Sequence, residues 1–113
     1  MDLSRCTLGF LGAGNMAEAL LRGVLKAGLI PASRVTACDI AAARRELFSR
    51  TLGVRTFESA REVVRASDLL LLCVKPQQTD ALLADIKPLF RADDHVLASI
   101  AAGVSTARIE RGL

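Results

Sequence analysis

The sequence predicts an α/β fold: a doubly wound, mostly parallel sheet with helices on both faces. Three observations predict it. Short apolar runs alternate with longer amphipathic ones along the 113 residues. The run DLLLLCV, residues 68–74, is continuously apolar rather than alternating, as expected of a strand covered on both faces. The stretch LGFLGAGNMAEALLRG, residues 8–23, crowds Gly9, Gly12 and Gly14 into the first junction between such runs. Strand and helix in strict alternation imply parallel strands joined by crossover helices. Right-handed crossovers then favour the strand order 3-2-1-4-5, with the first strand central.

The elements follow in order. Cys6 to Leu11 reads as the first strand. Asn15 to Ala27 reads as a helix, with Met16, Leu20, Leu21 and Val24 on or near one face and Gly28 as its stop. RVTACD, residues 34–39, is the second strand, and AAARRELFSRTLG, residues 41–53, is a helix ended by Gly53. VRTF, residues 54–57, is a short third strand, and Ser59 is placed to cap the helix that runs to about Ala66. The fourth strand is broken by Lys75-Pro76, and QQTDALLADIKPLF, residues 77–90, forms the fourth helix. HVLASIA, residues 95–101, is the fifth strand; Gly103 turns the chain and Ser105 caps a final short helix.

Composition narrows the functional classes. Fifteen basic and twelve acidic residues leave a net charge of +3 with no block of like charges. Four Phe are the only large aromatics. Neither pattern suits nucleic acid or a membrane surface. No apolar stretch approaches the ~20 residues needed to span a bilayer. The start MDLSRCTLGF has no charged-then-apolar run ending in a small-residue cleavage site. Cys6, Cys38 and Cys73 are odd in number and lack metal-ligand spacing, so reduced thiols in a cytoplasmic protein are expected, with no metal.

The glycines give the junction a chemical purpose. Gly12-x-Gly14-x-x-Ala17 is the fingerprint of a turn that cradles a dinucleotide pyrophosphate, which makes the expected fold Rossmann-like. Gly12 serves the tight turn out of the strand. Gly14 lets phosphate approach the main chain, and Ala17 lets the helix pack on the sheet. The helix amides and dipole then meet the phosphates. Gly9, inside the strand, is expected to serve close helix packing instead. Asp39 follows Ala17 by 22 residues and ends the second strand, where a carboxylate accepts both hydroxyls of the adenosine ribose. That favours NAD, yet Arg44 and Arg45 follow closely, and an arginine there accommodates the 2′-phosphate of NADP. The choice stays open at this level.

Two further turns lie at the carboxyl ends of strands, where ligands of such sheets bind. CVKPQ, residues 73–77, ends the strand expected beside the first, with Lys75 offering positive charge and Pro76 fixing the turn. SIAAGVS, residues 99–105, ends the fifth strand in small residues. No acid–base pair emerges, so no catalytic residue is assigned. His95 opens the fifth strand, at the edge away from the ligand, where a surface or capping role is expected. The three cysteines read as small buried residues rather than nucleophiles.

In that order and at those intervals, GFLGAGNMAEALLRG, CVKPQ and SIAAGVS resemble the N-terminal domain of pyrroline-5-carboxylate reductase. The resemblance covers essentially the whole chain. It implies an enzyme of proline biosynthesis that transfers hydride from NADPH or NADH to a cyclic imine. It implies that Leu11, Gly12, Ala13, Gly14, Asn15 and Met16 hold the pyrophosphate. Asp39 stands where the family reads the adenosine ribose or its phosphate. Cys73, Val74, Lys75 and Pro76, with Ile100, Ala101 and Ala102, line the nicotinamide ribose and ring. Two positions depart from the family: Ala60 replaces a cofactor-contacting Asn, with Ser59 adjacent, and Cys73 replaces an Ala.

A full-length family member continues into a helical domain that builds the homo-oligomer and the substrate site. Residues 1–113 are therefore expected to form an incomplete coenzyme domain, inactive alone. About five strands where such folds commonly have about six predict reduced stability for the isolated chain. Two alternatives remain. An F420-linked NADP reductase or 3-hydroxyacid dehydrogenase shares the glycine turn but usually lacks VKPQ followed by AAGVS. A non-catalytic NAD(P)-binding module is the other.

Overall fold

The computed structural model describes residues 5–91 and 93–99. β1 (Leu8–Leu11), β2 (Val35–Cys38), β3 (Arg55–Phe57), β4 (Leu69–Leu72) and β5 (Val96–Ser99) form one parallel sheet in the order β3-β2-β1-β4-β5. The predicted order and central first strand are therefore observed. The helices between strands are α1 (Asn15–Ala27), α2 (Ala42–Glu46), α3 (Ala60–Ala66) and α4 (Pro76–Ile86). Gly103 and Ser105 lie outside the described residues.

The sheet divides the core by strand alternation. Leu8, Phe10, Val35 and Ala37 face Ala17 and Leu21 of α1 and the ring of Phe48. Leu11, Cys38, Leu70 and Leu72 face Val63 and Val64 of α3 and Leu83 and Ile86 of α4. On β4, Leu69 and Leu71 pack against the first cluster and Leu70 and Leu72 belong to the second, which is why that run is apolar throughout.

Gly9 holds the two layers at close range. A Cβ there would fall 2.4 Å from Ser67 Oγ and 2.5 Å from Val63 Cγ1. α3 thus presses against β1 through the missing side chain, and the buried hydroxyls of Ser67 and Thr36 meet at 3.2 Å. The packing role expected for Gly9 is what the structure displays.

Three local expectations are corrected. On α1 the buried residues are Ala17 and Leu21, with Val24 and Leu25 partly buried, whereas Met16 and Leu20 are exposed. Residues 17, 21 and 24 share a face at about 100° per residue, and Met16 and Leu20 each precede that face by one step. The second helix changes from α to wider π turns over Leu47–Thr51. Within them Phe48 is fully buried, edge-on to Phe10 at 6.4 Å between ring centres, and its carbonyl accepts the Val54 amide. The fourth helix starts at Pro76, where a missing N–H is harmless, and stops at Ile86 rather than residue 90. Lys87 still has helical backbone and donates to Leu83, but Pro88 has no N–H to continue the ladder, and the amides of Leu89 and Phe90 both turn back to the Ile86 carbonyl.

Candidate functional site

The carboxyl ends of β1, β2 and β4 meet at the glycine turn. Gly12 N–H donates to the Cys38 carbonyl at 3.1 Å, and Cys73 N–H donates to the Leu11 carbonyl at 2.9 Å. Gly12 has φ 114°, which side chains rarely adopt, and a Cβ there would strike the main chain of Cys73 at 2.9 Å. The fold itself requires this glycine.

Gly14 is different. Its φ of −80° suits any residue, and an added Cβ would find no atom within 4 Å. Packing within the described protein does not call for glycine here. The open space lies at the start of α1, whose N-cap is Gly14 and which has no side-chain cap on its first-turn amides. The positive end of a 13-residue helix whose first-turn amides carry no side-chain cap suits a pyrophosphate.

Asp39 ties the second loop to this turn. One carboxylate oxygen accepts Ala13 N–H at 3.0 Å and the other accepts Ala41 N–H at 2.9 Å. An ionised carboxylate has about four acceptor sites, so both oxygens retain capacity for ribose hydroxyls. Arg44 reinforces the turn from the other side. Its Nε donates to the Ala13 carbonyl at 2.5 Å, and its Nη2 pairs with Glu18 at 2.9 Å. Hydrogen bonds from Arg44 and then Arg22 hold the Glu18 carboxyl below its ordinary value of 4.5. Arg45 donates to the carbonyls of Asp39 at 2.8 Å and Ile40 at 3.1 Å.

A cleft of about 360 Å³ opens beside these groups. Gly12, Asp39, Ile40, Ser59, Ala60, Val74 and Gln78 are among its walls, and Glu58 and Asp85 add two carboxylates. Asp85 is paired with Arg61 at 3.0 Å. Ser59 caps α3 by accepting Arg61 N–H at 3.2 Å, as its position predicts, and stands with buried Ala60 in the cleft wall.

Residues 7–103 match the family model described as NADP oxidoreductase, coenzyme F420-dependent. The chain belongs to that family. It is 39% identical over 98 residues to pyrroline-5-carboxylate reductase of Pisum sativum, covering 87% of this chain and 35% of that protein. The structure of a pyrroline-5-carboxylate reductase from Coxiella burnetii superposes with a TM-score of 0.90 at 27% identity, over 96% of this chain and 40% of that one. The Plasmodium falciparum pyrroline carboxylate reductase, solved with NADP bound, superposes with a TM-score of 0.81 at 25% identity, over 96% of this chain and 38% of that one. The chain therefore spans well under half the length of these relatives.

In this domain Gly12, Asp39 and Val74 line one cleft, and Ala13 is tied to its edge by the Asp39 carboxylate. Leu11 and Ala13 are buried, and Asn15 and Met16 are exposed at the helix mouth. Ala13 contributes structure first, because Asp39 and Arg44 engage its amide and carbonyl. Val74 lines the cleft, whereas Cys73 packs against the cluster under α1. Lys75 is exposed, and its N–H donates to the Gln78 side chain at 3.3 Å. Pro76 is the first residue of α4. Ile100, Ala101 and Ala102 lie outside the described residues. Sequence reasoning missed Ile40, Gln78 and the Arg44 staple. Gln78 carried a readable signal, three residues beyond Lys75, the N-cap of α4; the Arg44 contact spans 31 residues and carried none.

Of the remaining candidates, Cys38 is buried in the cleft wall and His95 lies away from it. Burial pushes the Cys38 thiol up to about 11 and the Cys73 thiol to about 12, which makes both poor nucleophiles. His95 sits at the opposite edge of the sheet, beside a hollow of about 570 Å³ whose walls include Thr7, Arg65 and Asp68. Its Nδ1 accepts Arg91 N–H at 2.9 Å, its Nε2 meets the Val64 carbonyl at 3.1 Å, and its ring stacks on Phe90. That is the expected capping role. Among the described residues no helix is long and apolar enough to cross a membrane.

Proposed function

We propose that this chain is the coenzyme-binding domain of a reductase that converts 1-pyrroline-5-carboxylate to proline with NADPH or NADH. The observation that carries the reading is the uncapped start of α1 at Gly14, next to the turn that Asp39 and Arg44 clamp. The relatives' names supply the substrate class.

The coenzyme, when bound, supplies the hydride. The chain's own groups do the positioning. The main chain from Leu11 to Met16 holds the pyrophosphate, and Asp39 accepts the adenosine ribose. The Cys73 to Pro76 turn, with Ile100 to Ala102, lines the nicotinamide side. Clamping the turn before the coenzyme arrives lowers the ordering cost of binding. Residues 1–113 form one incomplete domain in this reading, and the substrate clamp belongs to the further length that the relatives possess. The whole protein then works as a homo-oligomer on a small imine, without nucleic acid or membrane. Cysteines that are buried or half-buried rather than paired in a metal-ligand spacing suit a reducing cytoplasm. The family model alone would also fit an F420-linked NADP reductase; the 36–43% identity to curated pyrroline-5-carboxylate reductases favours the imine substrate.

The test has two stages. Calorimetric titration of the chain should show coenzyme binding that Gly14→Asp abolishes while the far-ultraviolet circular dichroism is retained. Joined to the helical domain of a full-length relative, the chain should then oxidise NAD(P)H only when 1-pyrroline-5-carboxylate is added. Turnover with oxidised F420 and no response to the imine would transfer the assignment to the other branch.

A further inference from the structure

We propose that the domain selects the coenzyme whose adenosine ribose carries a free 2′-hydroxyl, NADH over NADPH, with Asp39 as the specificity-determining residue. The inference rests on the dinucleotide reading of the crevice and goes on to choose between its two coenzymes.

The first support is the fixed position of the carboxylate. Two main-chain donors, from Ala13 and Ala41, hold one oxygen each. Asp39 therefore cannot swing away to admit a phosphate without leaving two amides unpaired. It is held in the cleft wall at the end of β2, where the diol of an adenosine ribose is read in such folds. A hydroxyl pair donates to this group, whereas a 2′-phosphate repels it.

The second support is the engagement of the arginines. Sequence alone leaves Arg44 and Arg45 as candidate phosphate partners. In the structure Arg44 reaches back to the Ala13 carbonyl and Glu18, with its guanidinium 5.8 Å from the centre of the Phe48 ring. Arg45 holds the carbonyls of Asp39 and Ile40. Recruiting either one would release the loop that the coenzyme needs.

The third support is the charge of the cleft. Among the described residues that line it there is no Lys or Arg, while Asp39, Glu58 and Asp85 are all acidic. Arg61 pairs with Asp85 at 3.0 Å and offsets that carboxylate, which leaves Asp39 and Glu58 as the acidic groups facing a phosphate. A phosphate carrying up to two charges would enter a field of its own sign.

The experiment is a pair of calorimetric titrations of the chain, with NADH and with NADPH, at one ionic strength. NADH is expected to bind at least about tenfold more tightly, a difference of about 1.4 kcal/mol. Asp39→Ser should narrow the ratio. Because Asp39 also braces two loops, Ile40→Arg serves as a second variant. Ile40 is 78% exposed, so folding tolerates the change, and the new cation should tighten NADPH by about tenfold relative to NADH. NADPH binding as well as or better than NADH to the unaltered chain would overturn the inference and leave the dinucleotide reading intact. A folded chain that binds neither coenzyme would overturn both.

Discussion

Arg44 donates from Nε to the main-chain carbonyl of Ala13, across 31 residues of sequence, while Asp39 receives the amide of the same residue. The glycine turn is thus held through both main-chain polar groups of Ala13, by Asp39 just after β2 and Arg44 in α2. The geometry of the turn is set before any ligand arrives. Arg44→Ala should lower stability by about 1–2 kcal/mol, since a charged hydrogen bond and a partly exposed ion pair are lost. Arg44→Lys should not restore it, because one ammonium cannot bridge both the Ala13 carbonyl and Glu18 as the guanidinium fork does. Urea denaturation of the two variants checks this.

The two glycines of the turn separate folding from binding. Gly12→Ala meets a forbidden φ and the Cys73 main chain, and should cost roughly 2–3 kcal/mol or more. Gly14→Ala meets neither, and should stay within about 1 kcal/mol of the unaltered chain. Coenzyme affinity should fall in both. Thermal melts of the pair, run beside calorimetric titrations, distinguish the roles. Equal loss of stability in the two variants would mean that Gly14 serves the fold rather than a ligand.

The thiols yield a prediction with a definite sign. Cys38 and Cys73 titrate at about 11 and about 12 in the folded chain, raised by burial from the ordinary 9.0. A raised native value favours the protonated thiol in the fold. That contribution is fully present below 9.0 and is lost as pH rises toward 11 and 12. Stability should therefore decline above pH 9.0, and iodoacetamide at pH 8 should label the two residues about a hundredfold or more slowly in the folded chain than in urea. Mass spectrometry of timed samples measures it.

The architecture was legible because each clue was local. Alternating apolar runs, the glycine fingerprint, the Ser59 cap and the apolar β4 run each act within a few residues. Together they specify a parallel sheet whose central strand ends in the candidate crevice. The candidate site was legible where placement follows chain order, as at Gly12 and Asp39, which share one cleft. It was illegible where chemistry depends on which partner a long side chain finds. In sequence Arg44 and Arg45 read as a solvated helix face or as phosphate partners, and only folding reveals the carbonyls they hold. The face of α1 was misjudged by one residue at Met16 and Leu20, since Ala17 carries the helix packing but offers little hydrophobic signal.

His95 is a bracing residue whose tautomer follows from its partners. An amide of Arg91 donates to Nδ1, so the ring proton resides on Nε2 and is donated to the Val64 carbonyl. The ring thereby ties the connection after α4 to the end of α3, at the sheet edge opposite the one that carries the glycine turn. His95→Ala should lower stability by about 1–2 kcal/mol through the two lost hydrogen bonds and the Phe90 stack. Nitrogen-15 correlation spectra at neutral pH should display the Nε2–H form. Coenzyme affinity should be retained in any His95 variant that folds, because no atom of this brace lines the cleft at Gly12 and Asp39. A His95 variant with native stability and weakened coenzyme binding would place the histidine in the binding machinery instead.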